Sequence, residues 1–153
     1  PPASGIEESE LEADTPVAAT EPGTGGAAGE EYERALRLLR DGSVAEAESA
    51  LAAFAAAHPT SDLADNAWFW IGESRLVRDD VAGALAAYRN AVESYPEGNK
   101  TPDALYKIGQ CLARQGDAAR AAEVWRELTR RFPATAAAEK ARDALGGTPG
   151  AGS

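Results

Sequence analysis

The sequence is poor in the side chains from which catalytic and metal sites are built. Cys111 is the single cysteine and His58 the single histidine among 153 residues. One cysteine forms no internal disulfide, and one His with one Cys gives too few ligands for a zinc site. The sequence also lacks a glycine-rich phosphate loop and a nucleophile elbow. We therefore expect no cofactor, no metal and no enzymatic activity.

Long apolar runs and an excess of basic residues are missing as well. No stretch reaches the roughly 18 apolar residues of a membrane-spanning helix. The formal net charge is −10, and residues 1–30 contain seven acidic residues and no Lys or Arg. In the remainder, 18 acidic residues face 15 basic ones, a net charge of −3. Phosphate binding needs a basic surface, so we expect no nucleic-acid partner.

The two ends of the chain have the composition of linkers. Residues 1–30 are rich in Pro, Gly, Ala, Ser, Thr and acids, with too few apolar side chains to offset the entropy of ordering a backbone. We predict that they form a disordered acidic linker. The chain opens with Pro1 rather than Met, and we expect a mature or trimmed fragment. Residues 146–153 predict a helix stop and a flexible tail.

Between these ends the sequence repeats with a period of 37 residues. Pro59, Pro96 and Pro133 keep this spacing. Three further series follow the same step: Ala35, Gly72 and Gly109; Ala47, Ala84 and Ala121; Leu51, Tyr88 and Trp125. The period is close to the roughly 34 residues of the tetratricopeptide repeat, a helical hairpin that stacks on its neighbours.

This period predicts an all-α tetratricopeptide-repeat superhelix over residues 31–145. Three hairpins are expected at about 30–61, 62–99 and 100–134, followed by a capping helix at 135–145. The predicted helices cover roughly 30–40, 44–57, 62–77, 81–94, 102–114, 118–131 and 135–145.

The repeated residues also predict how the hairpins pack. Gly72 and Gly109 should allow the second helix of each hairpin to approach closely, and Tyr88 and Trp125 should fill the core. Three consecutive aromatic residues, Trp68-Phe69-Trp70, span about 200° of one helix, so one or two of them must be buried. We expect Trp68 in the core and Trp70 against the neighbouring hairpin, and leave Phe69 open between a binding groove and interior packing.

The first helices of stacked hairpins usually line a concave, partner-binding face. Tyr32, Phe69 and Tyr106 occupy equivalent positions on these helices and predict an aromatic stripe. Asn66 and Asp103 are placed to hydrogen-bond the backbone of a bound segment. The full set of partner-binding candidates is Tyr32, Leu36, Asn66, Phe69, Glu73, Val77, Asp103, Tyr106, Gln110 and Arg114.

Two stretches of the second and third repeats resemble a known family. Asp65–Glu73 reads DNAWFWIGE and Asn99–Leu112 reads NKTPDALYKIGQCL, similar to the carboxy-terminal domain of the Tol-Pal system protein family (YbgF, also called CpoB). The resemblance covers about residues 31–145, although the first repeat departs from the pattern, with Ala35 in place of Gly.

The resemblance implies a periplasmic adapter for a protein partner, a TolA-like protein or a cell-wall synthase, that links envelope constriction to peptidoglycan synthesis in cell division. It also implies a possible oligomer, since the family usually carries an amino-terminal coiled coil, of which this chain shows no heptads. One alternative is a repeat scaffold of another envelope complex, for outer-membrane protein assembly or for motility or secretion. Another is a carbohydrate-binding module for peptidoglycan, suggested by the aromatic residues.

Overall fold

Helices account for the regular secondary structure of the described residues. A computed structural model describes residues 5–15 and 26–146, and within these ranges no strand occurs. None of the helices in these ranges is long and apolar enough to cross a bilayer. The helices are α1 (Glu8–Asp14), α2 (Gly26–Arg40), α3 (Val44–Ala57), α4 (Ala64–Leu76), α5 (Val81–Ser94), α6 (Thr101–Arg114), α7 (Ala118–Arg131) and α8 (Ala136–Gly146).

Helices α2 to α8 form three stacked hairpins and a terminal helix. The pairs α2–α3, α4–α5 and α6–α7 are the hairpins, and they stack through α3 against α4 and α5 against α6. α8 packs on α7 and α6, and buries Ala137, Ala138 and Ala141. The predicted hairpins and capping helix are therefore present. The predicted helix ends agree to within two residues, except that α2 begins earlier, at Gly26.

The second helix of each hairpin ends at the residue before a proline. His58, Tyr95 and Phe132 leave helical geometry with φ between −128° and −134°. The ring of a following proline clashes with the helical conformation of the preceding residue, so the helix stops there. Because this stop recurs every 37 residues, each hairpin ends at the same point of the period.

Glycine in the first helix of a hairpin lets an aromatic ring of the second helix lie against its backbone. A Cβ atom at Gly72 would fall 2.7 Å from Tyr88 Cδ1, and one at Gly109 would fall 2.7 Å from Trp125 Cδ1. Both distances are shorter than any normal contact, so these positions exclude a side chain. The predicted close approach at Gly72 and Gly109 is confirmed, and so is the burial of Tyr88 and Trp125.

The aromatic run in α4 is oriented differently from the prediction. Trp70 is fully buried, whereas Trp68 is only half-buried at the edge of the core. The buried face of α4 contains Ala67, Trp70 and Ser74, which follow the i, i+3, i+7 spacing of one helix face. Trp68 is partly buried and packs against the edge of the core, so the expectation that it belongs to the core holds only in part.

The first thirty residues also differ from the prediction of a disordered linker. They include α1, and the first turn of α2 lies within them. Ile6 and Leu11, two of the few large aliphatic side chains of this region, are 3% and 0% exposed. Their burial in the same apolar cluster as the repeats offsets the entropy of ordering this short stretch.

The remaining predictions for the chain ends fall outside the described residues. These are the linker prediction for residues 1–4 and 16–25 and the flexible tail at 147–153. The described part of α8 reaches Gly146, so the helix stop predicted there stays a prediction.

Candidate functional site

The face formed by α2, α4 and α6, called the groove below, holds residues Gly5–Thr15, called the N-terminal segment. Leu11 of this segment is completely buried. Glu10 and Leu11 precede Asp14 by four and three residues, so these three side chains lie on one side of α1. Glu8, Ser9, Glu12 and Ala13 are exposed on the other side. α1 thus turns one side to the repeats, and on that side Leu11 is buried while Asp14 makes polar contacts.

Asp14 is the polar anchor of the segment. Its Oδ2 accepts a hydrogen bond of 2.6 Å from Trp70 Nε1, and its Oδ1 lies 2.8 Å from Lys100 Nζ. The side chains of Asp14 and Lys100 are only 6% and 15% exposed, so water screens this ion pair weakly. Thr15 Oγ1 accepts a further hydrogen bond of 2.5 Å from Arg40 Nη2. One carboxylate therefore joins the segment to both the second and the third hairpin.

The segment runs antiparallel to α4. Asp14 meets Trp70 in the middle of that helix, whereas Gly5 lies beside Val77 just after its end, where an added Cβ would fall 3.2 Å from Val77 Cγ1. Glu10 lies between them, near Glu73. These contacts step along one face of α4, so the segment follows the second half of this helix.

The environment of Glu10 mixes charges of both signs. Burial raises the pKa of this carboxyl above 4.5, and the negative charge of Glu73 raises it further. The positive charges of Lys107 and Lys140 lower it in part. Glu10 therefore lies where basic side chains of α6 and α8 approach a buried acid of α4.

Glu73 is a buried acid, 2% exposed, held by two donors. Its Oε1 accepts a hydrogen bond of 2.5 Å from Tyr88 Oη and lies 3.2 Å from Lys107 Nζ. Burial raises the pKa of the Tyr88 hydroxyl, and the charge of Glu73 adds to this shift, so Tyr88 stays a proton donor. The predicted groove residue Glu73 thus belongs to an internal polar cluster at the floor of the groove.

Two of the three residues of the predicted aromatic stripe are not free for a partner. Tyr32 is fully buried, and its ring lies 5.6 Å from that of Phe54. Phe69 is also buried, with ring contacts at 5.4 Å to Trp70 and 5.8 Å to Tyr88. The Phe69 ring lies between Tyr88 of α5 and the Lys100 ammonium, which is 5.0 Å from the ring centre and binds Asp14, so the choice between groove and interior stays open.

Other candidates from the sequence line the same face beneath the segment. Leu36 and Asn66 are buried, and Val77 is half-buried beside Gly5. Asp103 is half-buried 4.0 Å from Lys100 Nζ, and burial raises the pKa of its carboxyl. The Asn66 Oδ1 and Tyr32 hydroxyl oxygens have no hydrogen-bond partner among residues 5–15 and 26–146. The backbone-binding role predicted for Asn66 and Asp103 remains a prediction.

The remaining candidates border an open part of the face. Tyr106, Gln110 and Arg114 line a cavity of about 400 Å³ together with Leu76 and Trp125. Gln110 Nε2 donates to Tyr106 Oη at 3.1 Å, and the Tyr106 and Trp125 rings stack with centroids 6.3 Å apart. The structure thus divides the ten predicted residues between a section covered by the segment and an open section.

Sequence reasoning missed the segment itself and the residues that anchor it. Trp70, Lys100 and Lys107 were not among the candidates, although Trp70 and Lys107 lie 37 residues apart and are equivalent in the repeats. A second signal lies in the acidic region, where Ile6 and Leu11 are two of the few large aliphatic side chains.

The single thiol is packed in the interior. Cys111 is fully buried, and burial raises its pKa to about 11, so it carries a proton at neutral pH. Among residues 5–15 and 26–146, no group of three His, Cys, Asp or Glu side chains is placed to hold a metal ion.

Comparison with known proteins identifies the repeats. Profiles of the family described as Tetratricopeptide repeat match residues 32–99 and residues 103–135. No curated protein matches the chain. The first match runs from within α2 to just past α5, and the second runs from the first turn of α6 to just past α7. Repeats of this family are typically non-catalytic modules that bind other proteins. The chain therefore contains a tetratricopeptide-repeat domain of the kind that serves as a protein-interaction scaffold.

Proposed function

We propose that this protein is a periplasmic adapter of the Tol-Pal type. Its groove binds a segment of a TolA-like protein or of a cell-wall synthase, and it coordinates envelope constriction with peptidoglycan synthesis during division. The resemblance of Asp65–Glu73 and Asn99–Leu112 to the YbgF/CpoB family supports this assignment. The tetratricopeptide-repeat domain supports the coarser part of it, a scaffold for protein partners.

The observation that carries the binding role is the occupied groove. The groove holds a helical segment through one buried aliphatic face and one desolvated carboxylate. These are the contacts by which helix-binding grooves of other proteins recognise their partners. A surface that binds eleven residues of its own chain in this way has the shape and the donors to bind a segment of another protein.

The open section of the groove offers the cleanest test. Gln110 and Arg114 line the cavity there, and the Arg114 guanidinium pairs with an exposed acid, Asp79, at 2.6 Å. Changing these two residues therefore leaves the core intact. A variant with Gln110→Ala and Arg114→Glu is compared with Arg126→Glu, which makes the same charge change on an exposed position of α7. Binding of both to a purified TolA-like periplasmic domain is measured by biolayer interferometry.

We expect the groove variant to bind at least about tenfold more weakly than the wild type, while the Arg126 variant binds normally. Circular dichroism should show the same helicity in all three proteins. Equal binding by the groove variant would place the interface outside the open section. No binding by the wild-type protein or by a chain with Leu11→Asp, which charges the buried residue of the N-terminal segment, would overturn the Tol-Pal assignment, and it would leave the tetratricopeptide-repeat fold untouched.

A further inference from the structure

The N-terminal segment has little stability of its own. α1 contains seven residues, and isolated helices shorter than about 12 residues are marginal in water. Its helical form therefore depends on the groove, through the burial of Ile6 and Leu11 and the contacts of Asp14. A segment ordered only by such contacts can be exchanged for another with the same chemistry.

The groove selects for acidic character as well as apolar character. Lys100 binds Asp14 directly, with its Nζ 2.8 Å from Asp14 Oδ1 and both side chains largely buried. Lys100 is also held in place, with its Nζ 5.0 Å from the centre of the Phe69 ring. A neutral or basic helix would leave the largely buried Lys100 ammonium with only the more distant Asp103 carboxylate, 4.0 Å away, and this loss disfavours such a helix.

Connectivity gives the segment an advantage over any partner in solution. Ten residues, 16–25, connect it to α2. A short linker of this kind raises the effective concentration of a tethered segment to about a millimolar. A partner must therefore exceed the affinity of the segment, or arrive at high local concentration, before it occupies the groove.

We propose that the N-terminal segment is an internal ligand that blocks the groove, and that the partner is an acidic amphipathic helix that binds in the same antiparallel orientation and displaces it. This inference rests on the proposed function, since it assumes that the groove is the partner site. The partner presents an aliphatic residue and, three residues later, a carboxylate, as Leu11 and Asp14 do. The carboxylate accepts from the Trp70 indole N–H and pairs with Lys100.

The experiment uses the full chain and a synthetic peptide of residues 5–15 that carries a fluorophore after Thr15, where the chain leaves the groove. Leu11→Asp should release the internal segment, because it places a charge in a fully buried position. Ala13→Asp is the matched control, since it adds the same charge on the exposed side of α1. Peptide binding to each protein is measured by fluorescence anisotropy.

We expect the Leu11→Asp chain to bind the peptide at least about tenfold more tightly than the wild type, because the wild-type groove is mostly occupied. The Ala13→Asp chain should bind like the wild type. Adding Lys100→Glu to the Leu11→Asp chain should abolish binding of the normal peptide. An Asp14→Lys peptide should restore part of it, because its ammonium pairs with the new carboxylate but cannot accept the hydrogen bond from the Trp70 indole N–H. This charge reversal separates recognition of the carboxylate from a general loss of structure.

Three results would overturn the proposal. Equal peptide binding by the wild-type and Leu11→Asp chains would show that the segment does not block the groove. An absence of binding to both would show that the groove does not accept this chemistry. A wild-type dimer that Leu11→Asp dissociates would show that the segment occupies the groove of a second copy.

The two proposals fail separately. If the peptide does not bind but the Gln110 and Arg114 changes still weaken binding of the TolA-like partner, the adapter function is supported and the internal-ligand proposal is wrong. If the peptide binds as expected but the TolA-like domain does not bind at all, the groove and its internal ligand stand and the Tol-Pal assignment falls.

Discussion

The hairpin interior and the groove are held together by different physical means. Inside the hairpins, the absence of a side chain at Gly72 makes room for the buried Tyr88 ring, and the fit is one of shape. In the groove, the N-terminal segment is fixed by one carboxylate, Asp14, between two donors, with Leu11 as its buried apolar anchor. The interior consists of many tight contacts that tolerate no added atom. The groove makes only a few contacts with the N-terminal segment, and another molecule can reproduce them.

This difference separates stability from recognition. Interior contacts act together in each hairpin, and neighbouring hairpins share them, so a change there should lower the stability of the whole stack. Groove contacts act on a segment that can leave without unfolding the repeats. Changes in the two regions should therefore have effects that different measurements can tell apart.

The largest expected effect comes from filling the space at Gly72. We expect Gly72→Ala to lower the free energy of unfolding by about 1–3 kcal/mol, because the new Cβ overlaps the fully buried Tyr88 ring and forces it to move. The higher helix propensity of Ala offsets part of this cost. Urea unfolding followed by circular dichroism measures the change. Gly146→Ala is the matched control, since its Cβ meets nothing within 4 Å, and an equal loss in both variants would contradict the argument.

The packing of the hairpin interior can be predicted from the sequence because the residues that form it recur with the 37-residue period. Gly72 and Gly109 occur at the same point of the 37-residue period, and so do Tyr88 and Trp125, so each small–large pair is seen twice. The prolines mark the ends of the second helices for a steric reason that applies to any sequence. These local rules and one period were enough to predict the hairpins, their order and the capping helix.

The groove was predicted only in part because its occupant occurs once. Composition alone suggested that residues 1–30 lack structure, and in isolation that argument is sound. It fails over the N-terminal segment because Leu11 gains its stabilisation from residues of distant helices. No local pattern around Trp70 or Lys100 predicts that they bind Asp14, because Asp14 lies more than fifty residues away from both in the sequence. Only the folded chain brings them together.

The next largest effect should be confined to the segment. Asp14→Asn keeps the size of the side chain but removes the charge that pairs with Lys100 and strengthens the hydrogen bond from Trp70. We expect docking of the segment to weaken by about 1 kcal/mol, with the free energy of unfolding of the repeats nearly unchanged. Hydrogen–deuterium exchange of the amides of residues 5–15 reports docking. Glu12→Gln, on the exposed side of α1, should leave exchange unaltered.

The smallest expected effect is a pH dependence of docking that arises at Glu10. Its pKa is raised above 4.5 in the docked segment by burial first and by the charge of Glu73 second, while Lys107 and Lys140 act in the opposite direction and Glu7 adds slightly to the rise. The docked state therefore binds a proton more readily than the released segment does. Docking should strengthen as the pH falls from 7.5 through this raised pKa towards 4.5, and weaken again as the pH rises.

Glu10→Gln removes this titration and the cost of burying the charge. We expect the variant to dock at least as well as the wild type at pH 7.5, with a smaller difference in amide protection between pH 7.5 and pH 5. A stronger pH dependence in the variant, or a loss of docking at pH 7.5, would contradict this expectation. Either result would show that the attraction of the Glu10 carboxylate to Lys107 and Lys140 outweighs the cost of its burial and its repulsion by Glu73. In that case Glu10 would be a second acidic anchor beside Asp14, and a partner of the groove would need both carboxylates.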